Sequence, residues 1–496
     1  MPVLCVILVV IAALAVACLV RAAALKPAEP KGAPIDAGGF EPSDGCVERF
    51  RALLRIPTVS RRDESERDDA AFEEFRATVR ALYPHVFEAF EEPRHFDGYG
   101  FLMRWPGADP SLDPVVMMAH HDVVPVEGQE WRYPPFAAEV HDGEIWARGT
   151  LDNKCCFTGC MEAFEYLAAS GYVPPRDIWF FSSCGEEVSG PAVDEAVAWL
   201  GNKDVHPCMV LDEGGAVATG VPLGVQAPMA MIGISEKGQV NLTVRATSAG
   251  GHASAPSDDD ATRLLVRATE RICANPGKPR LVPAVEEMLR ELAARGSFAY
   301  RVVFANMWLF RPLVTRIIAA GAETGPMVRT TYALTQLAGS TARNVLPSEA
   351  TANLNVRVAP FERIDDALAR ARAQAAVVSD AAGKKGEVRV GPAEGTELHE
   401  PAPLSPFDDA QFDYLRRCLA GTYPEAGACP YVQTSGSDSR AFGAICEHVY
   451  RLAPFVYTPL SRSLIHGANE RIGVEDFKRG VSFYVAFVRG LGELRA

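Results

Sequence analysis

One histidine and several carboxylates follow short apolar stretches of the chain, where together they could hold divalent metal ions. The run Val115 to Ala119 is apolar throughout, as in a strand buried on both faces, and His120 and Asp122 follow it directly. Asp152 comes after a predicted hairpin further along. Open α/β sheets bind their ligands at the carboxyl ends of their strands. We therefore expect these three polar side chains to lie at such an edge.

Two more predicted strands, at residues 178–182 and 208–211, also run into acidic residues. These are Glu186, Glu187 and Asp212. Helices are predicted between the strands, which indicates parallel βαβ units whose strands end along one edge of a sheet. His466 follows much later, beyond a Gly-rich stretch. The sequence thus predicts that these side chains converge.

Histidine and carboxylate side chains bind zinc at about 2.0–2.2 Å. Five protein ligands would serve two ions if one carboxylate bridges them: His120, Asp152, Glu187, Asp212 and His466. Two metals about 3.5–4 Å apart can share a hydroxide, polarise a carbonyl and stabilise the resulting oxyanion. Glu186 would take the proton of the water and hand it to a leaving nitrogen, while Asp122 would fix the tautomer of His120. This combination predicts amide hydrolysis.

Each of these residues, taken alone, also has a simpler interpretation. A single Asp or Glu at a strand end is more often a helix cap or a solvated charge than a ligand. His121 is expected to be a bystander, and Glu213 to be a neighbour of the ligands or a solvated charge. Cys184 is expected to pack and not to act as a nucleophile. A catalytically silent metal-binding protein is the alternative function, although a silent protein has no obvious reason to keep Glu186.

The elements that must position these residues indicate two sheets. Apolar strands separated by helices predict an α/β fold with a mixed, mainly parallel sheet flanked by helices. In Gln239 to Thr247 and Thr351 to Val358, apolar and polar residues alternate, which is typical of strands with one solvent-facing side. With their helices, these strands predict a small two-layer α+β domain inserted into the larger one. We place the two parts of the catalytic domain at residues 45–235 and 393–496, and the insertion at residues 236–392.

The amino terminus carries an uninterrupted apolar run, Val3 to Val20. It is long enough to span a membrane and is also within the length of a signal-peptide core. Residues 1–25 are therefore interpreted as a signal peptide or membrane anchor, and residues 26–44 as a Pro/Gly-rich linker that holds the body away from it. The basic residues follow the run, which argues against an anchor with its catalytic body outside. The protein is expected to be secreted, periplasmic or lumenal, or membrane-anchored; a buried amino-terminal helix is less favoured.

Composition excludes several other classes of protein. A chain of 496 residues, 48% hydrophobic and 23% charged, can form two or three domains with sizeable cores. Acidic residues outnumber basic ones by 63 to 49, and no basic block would follow a phosphate backbone, so nucleic acid is not an expected partner. The twelve cysteines lack the spaced pairs of a cysteine zinc cage and do not indicate a disulfide scaffold.

Six ordered motifs resemble those of the aminoacylase and carboxypeptidase family of di-zinc hydrolases. They are AHHDVVP (Ala119 to Pro125), RGTLDNK (Arg148 to Lys154), CGEEVSG (Cys184 to Gly190), LDEGG (Leu211 to Gly215), GGHAS (Gly250 to Ser254) and IHGANERI (Ile465 to Ile472). The resemblance covers the chain from about Cys46 to its end. It implies the same five ligands, with Asp152 as the bridge, and Glu186 as the general base. It also implies a cis peptide bond between Asp152 and Asn153.

The same resemblance implies a zinc-exopeptidase type of fold, whose inserted lid often forms a dimer interface. His252 matches a histidine that helps hold the substrate carbonyl or oxyanion, frequently from the partner subunit, and Asn344 and Arg357 match polar lid groups. Arg357 also falls on the polar face of its strand, where it could grip a carboxylate with two bonds; a solvated arginine is the alternative. Gly436 lies in a loop whose backbone N–H groups could meet a carboxylate, although a plain loop is the alternative.

Extra length at residues 275–328 resembles the carboxypeptidase S and N-fatty-acyl-amino-acid hydrolase branch. As a hypothesis, its apolar residues enclose an acyl or apolar side-chain group; lid core or dimer contact is the alternative. These residues are Phe304, Met307, Trp308, Leu309 and Phe310. The sequence thus predicts a hydrolase with two Zn²⁺, or Mn²⁺ or Co²⁺ on the same ligands. Its expected substrate is a short peptide or N-acyl amino acid, cut next to a free carboxylate, and a homodimer through the lid is expected.

Overall fold

Two β-sheets organise the computed structural model of the chain, which describes residues 2–322 and 324–494. The α-helices, in chain order, are α1 (Pro2–Ala24), α2 (Asp44–Leu54), α3 (Asp69–Leu82), α4 (Pro84–Ala89), α5 (Lys154–Ala169), α6 (Ala192–Asn202), α7 (Ala261–Ala274), α8 (Pro283–Arg295), α9 (Phe298–Phe304), α10 (Met307–Ala320), α11 (Gly325–Val328), α12 (Ile364–Ala382), α13 (Ala410–Thr422), α14 (Pro459–Leu464) and α15 (Val474–Arg489). The strands are β1 (Arg94–Phe96), β2 (Gly100–Trp105), β3 (Val115–His120), β4 (Glu139–His141), β5 (Glu144–Trp146), β6 (Ile178–Ser183), β7 (Met209–Ala218), β8 (Met229–Glu236), β9 (Gly238–Ser248), β10 (Gly251–His252), β11 (Thr331–Ala338), β12 (Val345–Leu346), β13 (Glu349–Val358), β14 (Gly386–Pro392), β15 (Gly427–Gln433), β16 (Val449–Tyr457) and β17 (Arg471–Gly473). Short 3-10 helices lie at Glu64–Glu66, Glu186–Val188, Gly383–Lys385, Asp438–Ala444 and Gly490–Glu493.

The larger sheet has eight strands in the order β1-β2-β6-β3-β7-β16-β8-β15. Strand β3 pairs in parallel with β6 and β7, β7 with β16, and β8 with β15. The pairs β1–β2, β2–β6 and β8–β16 are antiparallel. This confirms the predicted mixed, mainly parallel sheet. Two small sheets, β10-β12 and β17-β5-β4, lie outside it, and β4–β5 is the hairpin predicted from the sequence.

Both faces of the larger sheet are buried, as the apolar strands predict. Val115, Met117 and Ala119 of β3 point into one apolar core, and Val116 and Met118 point into another. Successive side chains of a strand alternate between its faces, so a strand covered on both sides is apolar throughout. The cover on the first face includes α5 and α15, which pack against each other.

The smaller sheet is antiparallel, in the order β11-β13-β9-β14, and carries α7 and α12 on one face. The alternation predicted for β9 is confirmed, since Val240, Leu242, Val244 and Ala246 are buried against these helices. The sheet and its two helices form the predicted two-layer α+β unit.

The helices of the extra segment, residues 275–328, are not part of this two-layer unit. Within the range of residues 236–392 predicted for the lid, α8 packs against β15 of the larger sheet, not against the smaller one. Its residues Val285, Met288, Leu289 and Leu292 join the core of the larger sheet. The apolar stripe of α8 was visible in the sequence, but a stripe shows only that a helix has a buried face, not which sheet covers it.

Helix α1, called the leader from here on, is apolar and exposed. The segment after it lies against the remainder of the chain, which we call the body. Residues Val3–Ala24 of α1 have a mean hydropathy of 3.4, enough in length and composition to cross a membrane, as a signal sequence also would. The following segment is bound to α8 and α13: Ala28 N donates to Glu291 at 3.0 Å and Ile35 N donates to Arg417 O at 3.0 Å. Residues 26–44 therefore do not act as the predicted spacer between leader and body.

Candidate metal centre

Adjacent strands of the larger sheet bring the candidate ligands together. His120 is the last residue of β3, and Glu187 lies in the 3-10 helix that follows the neighbouring strand β6. Asp152 precedes α5, and His466 follows α14. The carboxyl ends of parallel strands meet at one edge, which is where the sequence placed this site.

Asp152 occupies the middle of the cluster. Its Oδ1 lies 3.0 Å from Nε2 of His120, and its Oδ2 lies 3.0 Å from Nε2 of His466. Glu187 Oε2 lies 3.1 Å from the same atom of His466. One carboxylate that faces two histidines with different oxygens has the arrangement of a bridging ligand. The peptide bond between Asp152 and Asn153 is cis, as the family resemblance predicted.

The donor set suits two divalent ions. In each of two overlapping groups, ligand atoms lie within 4.8 Å of one another. The groups are His120, Asp152 and Glu213, and Asp152, Glu187 and His466. Burial and the charge of Asp152 raise the pKa of Glu187 to about 7, and its Oε1 has no hydrogen-bond partner in the described part of the chain. Buried carboxylates crowded in this way are stabilised by a cation between them.

The structure brings Glu213, and not the predicted Asp212, into the first group. Both residues lie within β7, which continues to Ala218 instead of ending at Leu211. Because neighbouring side chains of a strand point to opposite faces, only one of the two can face His120. Asp212 is turned the other way, and its Oδ2 accepts a hydrogen bond from Ser439 N at 3.1 Å.

Glu186 lies beside both groups without being part of either. Its Oε2 is 4.0 Å from Nε2 of His120. Burial raises the pKa of Glu186 well above its usual value, and the nearby carboxylates of Asp438 and Glu213 raise it further. A carboxylate held out of the ligand set but next to it has the position of a general base.

Asp122 holds both His120 and the turn that carries Glu186 and Glu187. Its two carboxylate oxygens accept the backbone N–H groups of Glu186 and Glu187, each at 3.2 Å. Oδ1 also lies 3.3 Å from Nδ1 of His120. Burial alone would raise the pKa of Asp122, but the hydrogen bond with His120 lowers it below the usual value. An ionised Asp122 keeps the proton of His120 on Nδ1 and leaves Nε2 free to bind a metal.

A buried ion pair joins the loop before α5, which carries Asp152, to the loop after α14, which carries His466. The sequence did not reveal this pair. Glu470 Oε2 accepts from Arg148 Nη1 at 2.6 Å, and its Oε1 accepts from the N–H groups of Leu151 at 2.7 Å and Asp152 at 3.2 Å. Arg148 Nη2 also donates to the carbonyl of His466 at 3.2 Å. The pair therefore positions Asp152 and His466 relative to each other. Arg148 is part of the motif RGTLDNK and Glu470 is part of IHGANERI, and membership of a motif was the only indication in the sequence that they position the site.

Two neighbours of the site have the structural roles expected of them. His121 is buried against the Phe75 ring and bonded to Ser182 Oγ at 2.7 Å, and burial lowers its pKa to about 3. Cys184 is buried, which raises the pKa of its thiol to about 12 and keeps it protonated. Neither residue is placed to react.

The predicted substrate-binding residues fall in two places. Arg357 lies on β13 opposite Gln239, and burial lowers its pKa, while Glu236 and Glu186 are the carboxylates whose charges act on it. A side chain at Gly436 would begin 4.0 Å from Glu236 Oε1. Both positions are therefore near Glu236, and Arg357 is also close enough for the charge of Glu186 to act on it.

His252 and Asn344 lie on an exposed part of the smaller domain. His252 is in β10, its Nδ1 is 2.8 Å from Ser254 Oγ, and the following N–H, of Ala253, donates to Asn344 O at 3.0 Å. In residues 2–322 and 324–494, neither side chain has a hydrogen bond or ion pair with the metal groups. The structure of one chain does not bring this pair to the site.

An open cleft lies between the two sheets beside Gly185, the residue before Glu186. It has a volume of about 640 Å³ and is lined by Gly185 and Ser189 of the larger domain and by Gln239, Asn241 and Asn353 of the smaller one. The lining is mainly polar. A substrate with polar groups could approach Glu186 through this cleft.

Comparisons with known proteins agree on one family. The profile of Peptidase family M20/M25/M40 matches residues 116–490. The chain is 32% identical over 452 residues to an N-fatty-acyl-amino acid synthase/hydrolase of Xenopus tropicalis, covering 89% of this chain and 85% of that protein. It is 28% identical over 450 residues to a probable carboxypeptidase S-like protein of Dictyostelium discoideum, covering 89% and 84%. It resembles the structure of an M20 family metallo-carboxypeptidase from Sulfolobus solfataricus at a TM-score of 0.66 and 16% identity, covering 91% and 100%.

Proposed function

The chain belongs to peptidase family M20/M25/M40 and is a metallo-hydrolase, and from this we propose that it cleaves an amide or peptide bond next to a free carboxylate. The main support is the position of Asp152 between His120 and His466. Glu186 lies outside the ligand set, with its Oε2 4.0 Å from Nε2 of His120. A protein that only bound metal would have no use for Glu186 in that position. The silent binding protein is therefore the weaker alternative.

Two ions, which we propose to be Zn²⁺, fit the residues present. His120, Asp152 and Glu213 would hold one ion, and Asp152, Glu187 and His466 the other. When bound, such ions lower the pKa of water and polarise a carbonyl oxygen. Mn²⁺ or Co²⁺ would suit the same nitrogen and oxygen ligands.

The residues of the chain perform the proton transfers and the positioning. Glu186 takes a proton from the attacking water and delivers it to the nitrogen that leaves. Asp122 keeps His120 in the tautomer that binds metal through Nε2, and it fixes the backbone from which Glu186 projects. Arg148 and Glu470 hold the two loops that supply Asp152 and His466.

Arg357 is the proposed partner of the substrate carboxylate. Among the described residues it forms no ion pair, and it is charged, partly buried and on the side of Glu186. A guanidinium binds a carboxylate with two parallel hydrogen bonds, and it would hold the substrate by its free carboxylate. Backbone N–H groups near Gly436 would add to this grip. Both relatives, an N-fatty-acyl-amino acid hydrolase and a carboxypeptidase by name, suggest substrates that carry such a group.

The experiment that tests this function is product release from matched dipeptides and long-chain N-acyl amino acids, with and without a chelator. We expect hydrolysis that the chelator abolishes and that added Zn²⁺ restores, because the ions supply the activated water. Preference for dipeptides or for long-chain N-acyl amino acids then shows which kind of substrate the protein cleaves. No hydrolysis by protein that still holds two metal ions per chain would favour the silent binding protein.

We also propose that the protein is a homodimer through the smaller domain. Its edge strand β11 has six consecutive exposed residues, Ala333 to Ala338, including Leu334 and Leu337. Such an edge offers unpaired backbone groups to a second copy. In such a dimer, His252 and Asn344 of one subunit would act at the metal centre of the other subunit.

Mixing two inactive variants tests this arrangement. Glu186→Gln and His252→Ala are each expected to have little activity alone. If His252 acts on the partner's site, a mixed dimer has one complete site, so random reassembly of equal amounts restores roughly a quarter of the wild-type activity. Activity that stays at the level of the separate variants, in a mixture shown to exchange subunits, would place His252 in its own site.

A further inference from the structure

Helix α10 is apolar on two sides, and the described residues of the chain cover one of them. Val314 and Ile318 are buried against the body. On another side, Leu309, Leu313 and Ile317, which follow one another at intervals of four residues and are 44%, 54% and 61% exposed, form the apolar face of α10. Trp308, 56% exposed, lies about 100° around the helix from Leu309, on the side of the leader. A helix that is apolar around most of its circumference is normally buried on all sides. The exposed face therefore calls for a cover that residues 2–322 and 324–494 do not supply.

The leader helix is fixed next to this face. Asn306, the residue before α10, donates from Nδ2 to Cys18 O at 3.0 Å, and Arg21 Nε donates to Ala305 O at 3.1 Å. Helix α1 also packs against α9. Beyond these contacts, Val3 to Val20 project as an exposed apolar helix of membrane-spanning length. The point where the chain would enter a bilayer is thus only a few residues from the start of α10.

The charges of the segment also favour a lipid surface. Residues 297–321 contain three arginines and no acidic residue, although the whole chain has a formal charge of −14. Arg311 is paired with Glu286 of α8, whereas Arg316 is exposed next to Ile317 and has no ion pair in the described part of the chain. Exposed apolar residues flanked by arginines, with a tryptophan at one end, are typical of helices that lie in the headgroup region of anionic membranes.

We propose that the apolar face of α10 docks into a phospholipid bilayer beside α1, so that the body rests on the membrane surface. Helix α10 does not span the bilayer, because its 14 residues reach only about 21 Å and the hydrocarbon core is about 30 Å thick. It follows α9 at an angle of 104°, which sets it across the direction of its neighbour. Trp308 would lie at the level of the headgroups and Leu313 and Ile317 among the first acyl carbons.

This docking is an alternative to the hypothesis that the extra segment encloses an acyl or apolar side-chain group. Phe304, Met307 and Trp308 line a groove of about 700 Å³ together with Arg21 and Leu25. None of the proposed metal-binding residues lines that groove. Three of the residues in that hypothesis therefore face the leader, next to the point where the chain would enter the membrane.

Tryptophan quenching in nanodiscs tests the docking on the full-length chain. The protein has six tryptophans and α1 contains none, so the leader itself does not contribute to the signal. In discs with brominated acyl chains and some anionic lipid, we expect part of the emission to be quenched. That quenched part should fall several-fold in Trp308→Phe and remain in Trp199→Phe, a partly exposed tryptophan on α6.

A second variant separates docking from tethering. In Leu313→Glu/Ile317→Glu, α1 still holds the protein in the disc, but the apolar face is lost, and quenching of Trp308 should fall in the same way. Equal quenching in wild type and Trp308→Phe would overturn the proposal, as would Trp308 emission that brominated lipid leaves unchanged. Shielding of Trp308 that depends on protein concentration and not on lipid would assign the face to a second copy of the chain. The readout is independent of hydrolysis, so the proposed function can fail without affecting it.

Discussion

The Glu186→Gln variant is expected to lose about 10²–10⁴-fold in turnover while keeping both metal ions, since general acid–base catalysis contributes that much and an amide cannot take the proton. Glu186 lies outside both groups of ligands, 4.0 Å from Nε2 of His120, so its replacement leaves the donor set intact. Turnover and metal content per chain are measured on the same preparation. Because Gln has the same size, the fold should not change.

Glu64→Gln is the matched control for this experiment. Glu64 lines the cleft that also contains Gly185, the residue before Glu186, but it belongs to neither metal group, and its change should leave turnover close to that of the wild type. A Glu186→Gln protein with wild-type turnover would remove Glu186 as the base. Loss of a metal ion from it would instead make Glu186 a ligand, and the role of the base would then fall to another group.

Changing Glu213 to Gln is expected to leave one metal ion per chain instead of two and to lower turnover by more than about 100-fold. Even groups that only support a ligand cost 10–100-fold, and Glu213 is placed as a ligand itself. The loss of one ion is expected because Glu213 of β7 faces His120, whereas Asp212 faces the other side of the strand. Metal content is counted on purified, folded protein, alongside the rate of hydrolysis.

Asp212→Asn is the matched variant, one residue away on the opposite face of the strand. Its side-chain oxygen can still accept the hydrogen bond from Ser439 N, so this protein should keep two metal ions. The reverse pattern, with one ion lost from Asp212→Asn and none from Glu213→Gln, would restore the ligand predicted from the motif. Either outcome decides between the two neighbours, because they cannot both face His120.

Most of the candidate site could be anticipated because strand ends in a parallel sheet converge. An apolar run ending in His120, and another followed by Glu186 and Glu187, are enough to indicate adjacent strands with a common edge. The structure places these residues next to Asp152 and His466. The larger sheet and the alternating strands of the smaller one were predicted for the same reason, since burial determines the spacing of apolar residues.

The remaining features depend on contacts that spacing does not encode. The end of β7 was placed at Leu211 because polar residues follow, but the strand continues, and the face on which Asp212 and Glu213 lie depends on that continuation. Arg148 and Glu470 are 322 residues apart in the chain, and a charged residue in a motif does not reveal its partner. The buried face of α8 was predictable but its sheet was not, because several surfaces can cover the same apolar stripe.

The place of β16 in the larger sheet determines when the protein can mature. This strand is made long after β7 and β8, yet it lies between them in the larger sheet. Strands β7 and β8 pair directly through Val217 and Ala218, but the rest of β7 lacks its partner on that side until β16 arrives. Contacts between such distant segments form late. His466 and Glu470 are synthesised later still. The proposed metal centre is therefore complete only after this late part of the chain has been made and has joined the larger sheet.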